Sequence, residues 1–331
     1  MEQNKTGKYL KYAIGEIVLV VIGILIALSI NNTNEIRKNE NAINSILKQV
    51  QSELVTSIKE SEDIMKNYMK KDSLIYIVMT NKVTYDDYKN KKIRGLMGLG
   101  QNYTSLKIQK DGYLNLMNYI KKLPKGLDSL ITDLKRIYVN DADAIEKLNT
   151  TMAKAAKDFS YWQKHNTTYS AVYYFNDITL SDKQINFFLN DPYYKNVIAE
   201  YFNFGLENHY EAIVMFRYRA INSYRKITSY LNLNEDASSE PSPFQQNTET
   251  YKKYLGNFKS KIDTIMISTK NKEFIFQRST RPEKYSIIPV DTTSFIPTRD
   301  YFYYLKFDKK GNVIGMTRRI GDHFQEYTKI K

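Results

Sequence analysis

Two serine–lysine pairs at S-x-x-K spacing come nearest to catalytic chemistry in this chain: Ser45-Ile46-Leu47-Lys48 and Ser223-Tyr224-Arg225-Lys226. A third element, Lys5-Thr6-Gly7, matches the K-T-G motif that accompanies S-x-x-K in penicillin-binding-type serine hydrolases. Activating a serine requires these groups to converge within hydrogen-bond reach. Both pairs, however, lie inside long amphipathic runs. Lys5-Thr6-Gly7 precedes an apolar segment and falls on the opposite side of any membrane that segment crosses. The chain has no G-x-S-x-G elbow and no Walker phosphate loop. We therefore expect no enzyme and no catalytic residue.

Metal chemistry is as poorly served. There is no cysteine, so neither a thiolate zinc site nor a disulfide framework can form. The histidines are His165, His209 and His323, with no H-E-x-x-H pair. In "ENHYE", Glu207 and Glu211 share one helical face and His209 points away from both. A carboxylate-bridged metal would need matching ligands on facing helices, where Glu53 and Glu60 read more simply as solvated surface. No cofactor and no metal is expected.

The remaining candidate is electrostatic. The net charge is +13, and residues 241 to 331 carry 17 Lys/Arg against 9 Asp/Glu. "YFYYLKF" alternates aromatics with Lys306, and Lys309, Lys310, Arg318 and Arg319 flank it. Aromatics with a basic edge can stack bases and meet phosphates. A pleated sheet with one buried aromatic face predicts the same alternation, and an extracytoplasmic location disfavours nucleic acid. The five cations are instead a candidate surface for an anionic partner: lipid headgroups, envelope polysaccharide or an acidic protein.

The elements that position these residues begin with "YAIGEIVLVVIGILIALSI". Tyr12 to Ile30 holds one charge, Glu16. As a helix it is about 28 Å long, close to a bilayer's hydrocarbon core. Ala27-Leu28-Ser29 has the form of a signal-peptidase site, but "NEIRK" runs on without Pro or Gly into further helix, which favours an uncleaved anchor. Lys5, Lys8 and Lys11 place the N-terminus on the cytoplasmic side. Glu16 must snorkel, pair or be protonated in lipid. Gly23 and Ala27 form a small-xxx-small pair through which two such helices could self-associate.

Beyond the anchor, apolar residues recur at helical spacing from Ile36 to Met69, from Leu127 to Trp162, and from Val197 to Leu231. Shorter helices are expected at Tyr85 to Leu96 and near Gly112 to Leu123. "NEDASSEPSPFQQNTE" reads as a linker. After it come six β-rich runs, "TIMIST", "FIFQR", "YSIIPV", "YFYYLKF", "VIGMTRR" and "HFQEYTK", with hairpin turns at "KNKE" and "DKKGN". The fold expected is α+β: cytoplasmic residues 1–11, a transmembrane helix over 12–31, an antiparallel helical bundle over 32–233, a linker over 234–250, and a small antiparallel β-sheet or half-barrel over 251–331.

"KYLKYAIGEIVLVVIGILIALSINNTNEIRK" resembles the N-terminal signature of an uncharacterised family of Gram-negative single-pass membrane proteins, a domain of unknown function. "YTSLKIQKDGYLNLMNYIKKLPKGLDSLITDLKRIY" is similar to that family's second recurrent segment. The likeness spans roughly residues 7–232, with Thr33 standing where the family usually has Trp. It implies an inner-membrane anchor and a periplasmic helical domain, and no catalytic residues. More loosely, residues 254–331 are similar to the small β-domains appended to penicillin-binding-type serine hydrolases.

The expected function is that of a non-enzymatic, membrane-anchored envelope protein. Its helical and β domains would bind a protein or anionic partner, and its span contacts the lipid bilayer through residues 12–31. The alternatives are a sensor or accessory subunit acting through oligomerisation of the membrane helix, and an enzyme of unrecognised type.

Overall fold

The computed structural model describes residues 3–119, 123–124, 126–166, 179–233, 247–270, 273–320 and 323–330. Its first element, α1 (Gln3–Met79), is a single 77-residue helix. No Pro or Gly interrupts it after Gly23. It ends in a Schellman-type turn, with Asn81 in the left-handed conformation at φ 55° and Lys82 N–H donating to the Ile77 carbonyl at 2.8 Å.

The apolar segment of α1 is wholly exposed, and burial begins near Ile43. From there Ile43, Leu47, Val50, Leu54, Ile58, Met65, Tyr68 and Met69 all lie in the core. Each such aliphatic side chain contributes about 1.5–3 kcal/mol by leaving water. This stretch of α1 is therefore held by tertiary packing. Its apolar N-terminal part has no protein to pack against among the described residues.

Two further rods complete the helical body. Helix α4 (Asp128–Lys135) passes through a π-helical stretch, Arg136–Asp141, into α5 (Ala142–Asn166). Helix α7 (Pro192–Tyr201) passes through a second π-helical stretch, Phe202–His209, into α8 (Tyr210–Tyr230). Asp191 caps α7, its carboxylate accepting a hydrogen bond from Tyr193 N–H at 2.8 Å, and Pro192 occupies the first helical position. Helix α8 runs antiparallel to α1, as the pairs Gln51–Thr228, Glu62–Arg217 and Tyr68–His209 show.

The short helices differ from expectation. Helix α2 spans only Tyr85–Lys89, because Lys91 takes a left-handed φ of 49° and ends it before Leu96. Helix α3 covers Asp111–Asn118, and residues 120–122 of the helix expected there lie outside the described residues. Helix α6 (Asp182–Asn190) was not anticipated, although Ser181 and Gln184 form a capping box legible as S-x-x-Q. The expected linker lies outside the described residues over 234–246, as do the central residues of the "KNKE" turn.

The C-terminal region corrects the sequence reading. It is neither a small sheet nor a half-barrel but a closed eight-stranded antiparallel barrel in simple up-and-down order. Its strands are β1 (Gly256–Lys259), β2 (Thr264–Lys270), β3 (Glu273–Arg278), β4 (Lys284–Pro289), β5 (Ser294–Pro297), β6 (Phe302–Phe307), β7 (Val313–Ile320) and β8 (His323–Ile330). The two strands missed, β1 and β5, have four residues each, too few to display a period. β1 closes the barrel by pairing with β8, Phe258 opposite Lys329. Closure removes both sheet edges, which a half-barrel would leave open to aggregation.

The barrel interior is filled by Phe258, Ile265, Phe274, Phe276, Phe295, Tyr303, Met316 and Tyr327, with Phe295 and Tyr303 stacked at 5.2 Å. Neighbouring residues in β4, β5 and β6 point the other way. Ile288, Ile296 and Phe302 join the helical core, so barrel and bundle share one apolar interface. Alternation thus serves two cores at once.

Candidate functional site

The seam between α8 and the barrel is where charged side chains meet concave surface. On one side of it, a cleft of about 400 Å³ is lined by Glu207, Tyr210, Glu211, Arg281, Arg299, Asp300, Tyr301 and Arg318. Beside it lies a groove of about 530 Å³, lined by Asp133, Arg136, Met215, Tyr218, Arg219, Asn222, Lys226 and Arg299. Met215 and Arg299 belong to both. Arg299 sits in the β5–β6 loop with its guanidinium 5.2 Å over the Tyr218 ring, which fixes its direction.

Below the cleft, the barrel loop is locked by a buried charge network. Asp300 accepts hydrogen bonds from Arg318 Nε at 2.9 Å and Nη2 at 2.6 Å, from Arg278 Nη1 at 3.3 Å, and from the Tyr303 hydroxyl at 3.1 Å. Arg278 also donates through Nε to Asp263 at 2.6 Å. Burial works to raise the Asp263 carboxyl, but hydrogen bonds from Ser260, Arg278 and Tyr327 outweigh it and hold the group below the usual carboxylate range. The network is therefore a rigid floor under the β5–β6 loop.

The five cations of the predicted anionic-partner surface are dispersed. Arg318 is committed to Asp300, and Arg319 pairs with Asp72 of α1 at 3.1 Å while lying 4.5 Å over the Tyr76 ring. Lys306 pairs across the sheet with Glu326. Lys309 and Lys310 are exposed in the β6–β7 turn, whose left-handed position is taken, as expected, by Gly311 at φ 80°. Glu16, Gly23 and Ala27 are exposed along α1, and nothing lies within 4 Å of a Cβ built at Gly23.

Neither serine of the S-x-x-K pairs hydrogen-bonds a lysine among the described residues. Ser223 is buried with no hydrogen-bond partner for its hydroxyl among the described residues, and Lys226 is engaged by Asp133 and Ser129. Ser45 and Lys48 are exposed on α1. His209 is fully buried, its Nδ1 2.5 Å from the Tyr68 hydroxyl, and burial lowers its pKa to about 4.

Sequence reasoning overlooked a buried lysine. Lys71 donates to the Asn102 carbonyl and to the Tyr201 hydroxyl at 2.6 Å, and burial lowers its pKa to about 8. Such a shift suits a nucleophilic lysine. Its ammonium, however, is occupied by these acceptors and lies 4.9 Å over the Tyr201 ring. It also overlooked Arg136 and Arg299, which no local pattern distinguishes from other surface cations.

A family of unknown function (DUF6090) matches residues 16–108. The match starts inside the apolar segment, covers the rest of α1 together with α2, and stops before α3, well short of the second segment's end at Tyr138 and of the barrel. No curated protein matches the chain, and no solved structure does.

Proposed function

We propose that this chain is a non-enzymatic, single-pass protein of the inner membrane in a Gram-negative envelope. Its N-terminus would lie inside, and its two-lobed head would bind a protein or anionic partner in the periplasm. The observation that carries this reading is the continuity of α1. One helix is wholly exposed where it is long and apolar enough to cross a membrane, and becomes a core element of the head some dozen residues later. An exposed apolar surface of this extent is stable only in lipid or against other protein.

The same helix sets a height. From Ile30 to Glu62, level with Arg217 of α8, is about 48 Å along the axis at the α-helical rise. The head is thus carried beyond the headgroup layer and beyond the roughly 8 Å over which surface charge acts at physiological salt. A tether of this length fits a partner away from the anchor's own bilayer. The floor of ion pairs and the packed barrel interior make the seam, rather than the barrel lumen, the surface available for that partner.

Topology tests the reading. The chain has no cysteine, so Thr292→Cys, in the exposed β4–β5 loop, provides a single thiol. Labelling of intact cells by a maleimide that crosses the outer but not the inner membrane, in full-length protein that sediments with membranes, is the expected result. Labelling only after the inner membrane is broken would place the head in the cytoplasm and end the proposal.

A further inference from the structure

We propose that the groove between the α4–α5 rod, α8 and the β5–β6 loop binds an oxyanion-bearing ligand, clamped between Arg136 of the helical body and Arg299 of the barrel. This deepens the partner-binding reading above and rests on it for the compartment, not for the chemistry.

Charge separates the groove from the cleft beside it. The cleft sets Arg281, Arg299 and Arg318 against Glu207, Glu211 and Asp300, three of each sign. The groove sets Arg136, Arg219, Lys226 and Arg299 against Asp133, four against one, a balance of +3. A concave surface lined by one sign focuses its field and concentrates counter-ions. Two of the four cations are already committed, Arg219 to Asp141 and Lys226 to Asp133. Arg136 and Arg299 make no ion pair and no side-chain hydrogen bond among the described residues. Arg136 only adds to the field that acts on Asp141.

These two guanidiniums reach the same space from different bodies, 163 positions apart in sequence (299 − 136). Arg299 is half-buried and pre-oriented by Tyr218, which itself makes an edge-on contact with Tyr285. A guanidinium presents paired N–H donors that match phosphate or carboxylate oxygens, with more geometric specificity than an ammonium. The Asn222 amide adds a donor and an acceptor for a hydroxyl or a bridging oxygen, and Met215 with Tyr218 offers apolar wall. The shared ligand chemistry is a phosphate or a carboxylate on a small molecule or polymer free of the anchor's bilayer. The groove lies too far along α1 for the headgroups at its base.

Binding should tie the barrel to the helical rod, so the ligand should raise the thermal midpoint as well as bind. The test uses full-length protein in nanodiscs of zwitterionic lipid, titrated with inorganic pyrophosphate and, separately, with citrate. Calorimetry and thermal unfolding are read in parallel. Saturable binding with a raised midpoint is expected, and a preference for pyrophosphate or for citrate assigns the oxyanion class. Arg136→Gln, at an exposed position, should weaken binding at least tenfold, as should Arg299→Gln. Arg281→Gln, in the neighbouring cleft, should bind as the parent does.

No saturable binding of either anion, or equal binding by the Arg136→Gln and parent proteins, overturns the assignment. So does capture of added vesicles of anionic lipid with no binding of either free anion. Failure here alongside successful thiol labelling would remove the site and leave the anchored topology intact. Success here with failed labelling would keep the site and move the compartment.

Discussion

Arg319 of β7 and Asp72 of α1 form a buried ion pair at 3.1 Å across 247 positions of sequence, and Arg319 Nη2 also donates to the Asp72 carbonyl at 3.0 Å. Tyr76 and Phe324 enclose the guanidinium, at 4.5 Å and 5.9 Å from their ring centres. The helix that carries the apolar segment is thereby clasped directly to the barrel. Ser73 and Tyr304 add a hydroxyl contact at 3.3 Å one residue along. A pull on the barrel reaches α1 through this contact and the apolar seam around Phe302.

The clasp is predicted to be pH-sensitive. Burial pushes the Asp72 carboxyl up to about 7, the Arg319 charge opposes this, and Glu207 adds to it. No aligned hydrogen bond reaches Oδ2, so attraction does not offset desolvation. An acid whose pKa is higher folded than unfolded binds more protons when folded. Its contribution is fully present below about pH 4, near the unfolded value, and is lost as pH rises through about 7. Urea midpoints between these limits should fall more steeply for the parent than for Asp72→Asn. Parallel curves would sink the assignment.

Removing the arginine should expose the same linkage from the other side. Arg319→Ala leaves the Asp72 carboxylate buried without its counter-charge, a change that costs about 3–5 kcal/mol for buried pairs. The loss should be largest at pH 8, where Asp72 is ionised, and smaller at pH 5, where it carries its proton. Equilibrium unfolding at both pH values checks the sign.

His209 should stay neutral throughout the physiological range. Burial is the cause, and the Tyr68 hydroxyl holds Nδ1. A histidine with a depressed folded pKa contributes stability that is present above about 6.5 and is lost as pH falls through about 4. Its imidazole resonances should therefore show no titration step near 6.5. A normal step at His209 would contradict its placement in the core.

Gly315 is required by strand pairing rather than by a turn. A Cβ there would collide with the Tyr327 carbonyl oxygen of the adjacent strand. Gly315→Ala should cost about 1–3 kcal/mol, the usual range for overpacking. Gly311→Ala, in the open β6–β7 turn, meets no neighbour and bears only its positive φ, so about 1 kcal/mol is expected. Thermal midpoints should rank parent, Gly311→Ala, then Gly315→Ala.

Limited trypsin should cut first where α1 is helical but unsupported. Arg37 and Lys38 are exposed on the stretch between the apolar segment and Ile43. Helix without tertiary cover opens locally at low cost. Cleavage there should release the rest of the chain from membranes as one fragment that contains both bundle and barrel. A first cut inside the packed stretch from Ile43 to Met69 would contradict its burial.

Much of this was legible one residue at a time. The three- and four-residue spacing from Ile43 to Met69 dictated which face of α1 is buried. The Asp191-Pro192 pair marked a helix start, and "DKKGN" specified a turn with Gly311 left-handed. These are local facts, set by backbone sterics and by the periods of helix and strand. The apolar length before Ile30 likewise needs no tertiary structure to be recognised.

Closure of the barrel was not legible, because β1 and β5 are too short to carry a period and acquire their meaning only from the partners they complete. The fate of the cations was not legible either. Arg318 and Arg319 are adjacent in sequence and alternate across a strand, so one meets Asp300 at the cleft and the other Asp72 on a helix 247 positions away. Lys309 and Lys310 stay in water, and Arg136 comes to face Arg299. Periodicity tells which side of an element is apolar, but not which element will cover it. A charge's role depends on the counter-charge and solvent it ends up facing, and that is decided only when distant segments pack.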